Sequence, residues 1–375
     1  MTFIALLLSL LALTISAGKN PDCYRNTAQM AEARGYRTEN HTIVTEDGYI
    51  LLTFRIPGKK GQPVLLAHGV LGSSDNLLDN GDASVPYMLA DQGYDVWLMN
   101  NRGNRYTRKH TKLDPDRDAE FWEYSLHEMG VYDAKANIDH IMKITGYQKV
   151  VYVGYSQSSG AILAGMAVNP GYFKKHLKSV TLWAPVGNME HSNSLLGIVY
   201  YSYIMYALEY MGIRELFQYD PSLCSFTSVL CKLNPAICNL MLAIVTDMNP
   251  YYDNQDRWEV IMAHYPVGTS VLSLLHMVEM KIYRGFVKHR KTVFHDVEEY
   301  DLNNLDHTVP IAMMVGKNDQ MATPKDAQWL AGVLNKNKAL KFYKEYNFMG
   351  HITFVIPSKL VQQYLHDTVE FIKAH

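Results

Sequence analysis

The segment "KVVYVGYSQSSGAIL" (Lys149–Leu163) passes directly from an apolar run into a stretch of helical character. The run "VVYVG" (150–154) lacks polar alternation, as expected of a strand buried on both faces, and "SSGAILAGMAV" (158–168) suits a helix. Between them stands Gly154-Tyr155-Ser156-Gln157-Ser158. It departs at its last residue from the Gly-x-Ser-x-Gly turn that lifts a serine above a parallel sheet. A nucleophile at Ser156 would gain twice. The sharp turn exposes its oxygen, and the following helix presents backbone N–H groups to a developing oxyanion.

Similar apolar runs lie on both sides: "QPVLLAHG" (62–69), "YDVWLMNNRG" (94–103), "LKSVTLWAP" (177–185) and "VPIAMMVG" (309–316). Most are followed by helical spacing, which predicts an α/β fold with a mostly parallel central sheet. "HTIVTEDGYILLTFRIPG" reads instead as two antiparallel strands around Asp47-Gly48. Between residues 187 and 308 the alternation is lost. That region is expected to be a helical cap inserted into a core of residues 18–186 and 309–375.

The chain has 375 residues, 48% of them hydrophobic, with 35 Lys and Arg against 37 Asp and Glu. A near-neutral chain has no overall field to recruit nucleic acid. The N-terminus "MTFIALLLSLLALTISAG" predicts a signal peptide over residues 1–17, and no other run is long enough to span a bilayer. Asn40-His41-Thr42 is a candidate N-glycosylation site. Cys23, Cys224, Cys231 and Cys238 could form two bridges in any of three connectivities. Their spacing includes no C-x-x-C pair, which disfavours zinc.

A serine hydroxyl needs a base to take its proton and a carboxylate to hold that base. Asp319 follows the run ending at Gly316, and His351 follows the strand-like "KALKFYKEYN" (338–347). The order Ser156, Asp319, His351 is the α/β-hydrolase order. The oxyanion donors expected are the amides of Gln157, next to the serine, and Val70, in "HGVLGSS" (68–74).

"HGVLGSSDN" (68–76), "LADQGYDVWLMNNRGNRYTRKH" (89–110), "FWEYSLHEMGVYDAKANIDHI" (121–141) and "HYPVGTS" (264–270) together resemble the acid lipases, which include the gastric and lysosomal enzymes. The resemblance covers most of the mature chain. It implies an α/β-hydrolase fold with a lidded cap, and hydrolysis of neutral-lipid esters at a lipid–water interface. It places Ser156, Asp319 and His351 on the family's triad and Val70 and Gln157 on its oxyanion donors. It also implies a cap disulfide between Cys224 and Cys238. No metal or organic cofactor is implied.

Three residues depart from the family pattern: Tyr155 and Ser158 in the serine turn, and Thr353 where the family has an aspartate two residues after the base. A serine in place of the last glycine adds a Cβ and one oxygen, an overpacking of about 1–3 kcal/mol that a small shift relieves. Gly154 and Gly160 remain to ease crowding. The expected function is therefore a secreted or endolysosomal lipase or lipid esterase acting on triacylglycerols or steryl esters. The alternatives are a catalytically silent lipid carrier and an esterase for small soluble esters. Within the aromatic-rich run 194–213, "LLGIVYYSYIMYALEYMGI" (195–213) is the candidate for lipid contact.

Overall fold

The computed structural model describes residues 20–59, 61–194, 204–247, 251–289 and 297–375. The expected signal peptide (1–17) and residues 195–203 of the candidate lipid-contact stretch lie outside them. Ten strands are described: β1 (Glu39–Val44), β2 (Ile50–Ile56), β3 (Pro63–Ala67), β4 (Asp95–Met99), β5 (Val150–Tyr155), β6 (Leu177–Trp183), β7 (Glu215–Leu216), β8 (Thr269–Ser270), β9 (Ile311–Gly316) and β10 (Leu340–Tyr346). The helices include α1 (Lys135–Thr145), α2 (Gln157–Val168), α3 (Pro221–Leu233), α4 (Pro235–Val245), α5 (Trp258–His264), α6 (Val271–Tyr283), α7 (Pro324–Lys336) and α8 (Gln363–Ala374).

Eight strands form one sheet in the order β1-β2-β4-β3-β5-β6-β9-β10. The β1–β2 hairpin and the β2–β4 pairing are antiparallel, and every pairing from β4 to β10 is parallel. The expected α/β class is therefore what the chain adopts. β3, β4, β5 and β9 are buried along their whole length, which is why their sequences are apolar on both faces. Strand β1, at one edge, alternates and leaves Asn40 and Thr42 exposed. Helix α2 is buried almost throughout. Its Gly160 lies close to the Val186 carbonyl, where an added Cβ would stand only 2.8 Å away.

From β3 the chain pairs with β4 on one side, then crosses to β5 on the other and continues outward to β6 and β9. Such a reversal opens a crevice beyond the carboxyl ends of the strands that flank it. Here those are β3 and β5, with Ala67 opposite Gly154, so the segments leaving Ala67 and Tyr155 emerge side by side.

Between Trp183 and Ile311 none of the described residues joins this sheet, and the chain forms α3 to α6 and the small β7–β8 ribbon. The segment is tied to the loops of the sheet by polar contacts. His264 Nδ1 meets Asp79 Oδ1 at 2.7 Å, Arg257 Nη2 meets Asp22 Oδ2 at 2.7 Å, and the Val267 amide donates to the Leu71 carbonyl at 3.0 Å. No helix among the described residues is long and apolar enough to cross a membrane.

The cysteine pairing differs from the one the resemblance implied. Cys238 bonds to Cys231, not to Cys224, with Cα atoms 5.3 Å apart, inside the range a disulfide spans. Helices α3 and α4 meet at the Asn234 corner, which sets Cys231 in the last turn of one beside Cys238 in the first turn of the other. Cys224 is two turns back along α3, and its thiol faces the Tyr265 and Pro266 carbonyls. It and Cys23 are buried thiols outside the bond.

Candidate active site

Ser156 sits where β5 ends and α2 begins, with φ 53° and ψ −115°. A side-chain-bearing residue rarely adopts this region, and the surroundings must hold it there. The Ser156 amide donates to the Trp183 carbonyl of β6 at 2.9 Å, and the Ser159 hydroxyl donates to the Ser156 carbonyl. The strained turn aims the Ser156 hydroxyl at His351, whose Nε2 lies 2.8 Å from Oγ. His351 Nδ1 in turn lies 2.8 Å from Asp319 Oδ2. Asp319 is fixed through its other oxygen, which accepts from the Met321 and Ala322 amides at 2.8 Å each. All three side chains are buried.

The sequence thus places these three residues on loops after β5, β9 and β10, and folding brings them into one hydrogen-bonded chain. With Asp319 accepting from Nδ1–H, Nε2 is the acceptor that a serine proton requires. Burial pulls the His351 imidazolium pKa down. The charge and hydrogen bond of Asp319, with the charge of Asp247, outweigh that, so the pKa is raised above the ordinary histidine value.

The two expected oxyanion donors flank Ser156. The Gly69 carbonyl accepts from His68 Nδ1 at 2.8 Å and from the Gly72 amide at 3.3 Å. Because the peptide is planar and trans, the Val70 N–H points opposite to that carbonyl. Among the described residues, neither the Val70 nor the Gln157 amide has a hydrogen-bond acceptor. Gly69 permits the close approach of this loop, since a Cβ there would stand 2.8 Å from the Tyr155 ring and 3.3 Å from Ser156 Cβ.

His68 opens the loop expected to carry the Val70 donor, but the sequence assigned its own side chain no role. Its Nε2 accepts from the Asn101 amide at 3.1 Å, so Nδ1 carries the proton given to Gly69. Burial pushes its pKa down to about 4, which keeps this arrangement neutral and intact over a wide pH range.

An apolar cleft leads to the serine. Its walls are Val70, Leu71, Ile261, Tyr265, Met321, Ile352 and Val355, with Thr246 at the side. Among the described residues no group of three or more His, Cys, Asp or Glu side chains is arranged to hold a metal ion.

The partial alpha/beta-hydrolase lipase region matches residues 27–81, and the alpha/beta hydrolase fold matches residues 62–204. Gastric triacylglycerol lipase of Rattus norvegicus is 32% identical, over 94% of this chain and 93% of that protein. Lipase 1 of Drosophila melanogaster is 33% identical, over 87% of this chain and 75% of that one. The chain belongs to the acid lipase family. It is a carboxylic ester hydrolase, and a thermophilic esterase from Thermogutta terrifontis shares its fold, with a TM-score of 0.51 at 12% identity over 90% of this chain and 98% of that one.

Within this acid lipase the residues that depart from the family pattern each have a partner. Ser158 donates to the His68 carbonyl at 2.5 Å and accepts from Asn101 Nδ2 at 3.0 Å, joining the turn to the ends of β3 and β4. Its buried hydroxyl both donates and accepts, so these hydrogen bonds offset the cost of desolvating it. Tyr155 donates to the His351 carbonyl at 3.1 Å, and its ring lies 5.3 Å from the imidazole. Thr353 donates to Asp253 Oδ1 at 2.6 Å and accepts from the Gly350 amide at 3.0 Å. Replacing Ser158 with alanine would leave the Asn101 side-chain amide and the His68 carbonyl without this partner in a buried site. A loss of about 1–3 kcal/mol in unfolding free energy is expected, measurable by urea denaturation. An unchanged midpoint would show that the bridge contributes nothing.

Proposed function

We propose that the protein is a serine-dependent lipase that hydrolyses acyl esters of neutral lipids, triacylglycerols or steryl esters. The observation that carries this reading is the Ser156–His351–Asp319 hydrogen-bonded chain at the end of an apolar cleft. Ser156 Oγ attacks the acyl carbonyl as His351 Nε2 takes its proton. The Val70 and Gln157 amides hold the tetrahedral oxyanion, a contribution of about 10²–10³ per donor in rate. His351 then protonates the leaving alcohol. Water, activated by the same imidazole, attacks the acyl-enzyme, and the fatty acid leaves.

Residues 187–308 act as a cap on a core of residues 18–186 and 309–375. Apolar side chains on that segment are open to solvent, among them Tyr210, Met211, Phe226, Leu233 and Leu240, and these are suited to a lipid surface. The Cys231–Cys238 bond and the exposed Asn40 fit an exported, glycosylated protein, delivered outside the cell or to the lysosome. The three departures all make hydrogen bonds that hold the site together, so the silent-carrier reading gains nothing from them.

Rates for one ester series measured through the solubility limit test the substrate class. A lipase accelerates once the ester forms a separate phase. Saturation below that limit with no further rise would assign the protein to small soluble esters instead.

A further inference from the structure

The base is also held from the segment between β6 and β9. Asp247, directly after the cleft residue Thr246, accepts the His351 amide at 2.6 Å and the Gln320 amide at 3.2 Å through Oδ2. A few residues on, Asp253 accepts the Thr353 hydroxyl, and the Asn254 amide donates to the Ile356 carbonyl at 2.8 Å. The Tyr252 carbonyl accepts from the Ser358 amide at 2.8 Å, and the Tyr252 ring stacks on Phe348 at 4.8 Å. The inserted segment therefore grips the loop that carries His351 on both sides. Thr353, two residues after the base, is itself bonded to a carboxylate of the insert, Asp253.

Asp247 is buried, and its Oδ1 has no hydrogen-bond partner among the described residues. The titratable and charged groups around it are Asp319, His351 and Tyr155 on the inner side, with His191, Lys317 and Lys325 around the outer opening. We propose that Asp247 is a positioning residue that fixes the His351 backbone and, by gaining or losing its proton, sets the acid edge of ester hydrolysis. The proposal rests on the reading of Ser156, His351 and Asp319 as the triad.

Burial, followed by the charge of Asp319, pushes the Asp247 carboxyl up to about 7, against the opposing pull of His351 and the two amides. The ionisation of Asp247 is therefore linked to that of Asp319, whose charge raises its pKa, and to that of His351, whose charge lowers it. The charge of an ionised Asp247 stabilises the His351 imidazolium and so removes free base as the pH falls. Without that charge the imidazole stays neutral to lower pH.

The test is the pH profile of kcat/KM on a soluble ester for Asp247→Asn and Asp247→Ala beside the wild type and Ser156→Ala. Asparagine keeps an acceptor for both amides and carries no charge. It is expected to move the acid limb about one pH unit lower, with a plateau within a few-fold of wild type. Alanine removes the acceptor and is expected to lower kcat by roughly 10–100-fold through a misplaced imidazole. An NMR titration of the His351 ring in the asparagine variant supplies a second readout, with its midpoint lowered by a similar amount. An unmoved limb and ring titration in Asp247→Asn would overturn the proposal, as would wild-type kcat in a folded Asp247→Ala protein. Hydrolysis surviving in Ser156→Ala would instead overturn the triad reading on which it rests.

Discussion

Ser156→Ala is expected to lower kcat for ester hydrolysis by about 10⁶-fold, the scale seen when a triad serine is removed from another hydrolase. The change deletes one buried oxygen whose side-chain hydrogen bond is to His351. Alanine meets the same backbone strain at φ 53° as serine, and it adds no atom to the turn. Stability should therefore stay close to that of the wild type while chemistry stops. The activity that survives, about 10³–10⁴ over water, would come from the oxyanion donors and the cleft. Burst and steady-state kinetics on an activated ester, beside a melting curve, check both halves of this expectation.

The second large effect is expected from Asp319→Asn, about 10⁴-fold in kcat, by analogy with the same substitution in a serine protease. Asp319 Oδ2 receives the Nδ1 proton of His351, which leaves Nε2 free to accept from Ser156. An asparagine that turns its NH₂ toward Nδ1 forces the other tautomer, and Nε2–H then faces the serine. The substitution also removes the charge that raises the His351 pKa, so the remaining activity should persist to lower pH than in the wild type. The pH profile of kcat/KM checks the sign. An acid limb moved upward would show that Asp319 does not hold the imidazolium.

Much of the sheet was legible because burial on both faces leaves a direct mark on composition. "PVLLA", "DVWLM", "VVYVGY" and "IAMMVG" are apolar throughout, and each is a strand buried along its length. Ser156 and Asp319 could be named because each follows such a strand, and His351 because it follows the more polar, half-buried β10 after Asp319; strand ends in a parallel sheet converge on one edge. The contacts that support them were hidden for a physical reason: they join residues distant in the chain and leave no periodic pattern. Ser158 reaches His68 across 90 positions, and Asp247 reaches His351 across 104. Asp247 stands in "TDMNPYYDN" (246–254), a stretch with neither strand nor helix spacing. The disulfide pairing was missed because it depends on the corner at Asn234, which sets Cys231 and not Cys224 against Cys238.

The nucleophilic role of Ser156 is tested most directly by treating the folded protein with an alkyl phosphonate ester and locating the adduct by peptide mass spectrometry. The expected result is one covalent phosphonyl group on the peptide carrying Ser156, formed fast in the wild type, slowly in His351→Ala, and not at all in Ser156→Ala. Well-folded wild-type protein that forms no adduct at Ser156, or forms it at another serine, would contradict that role.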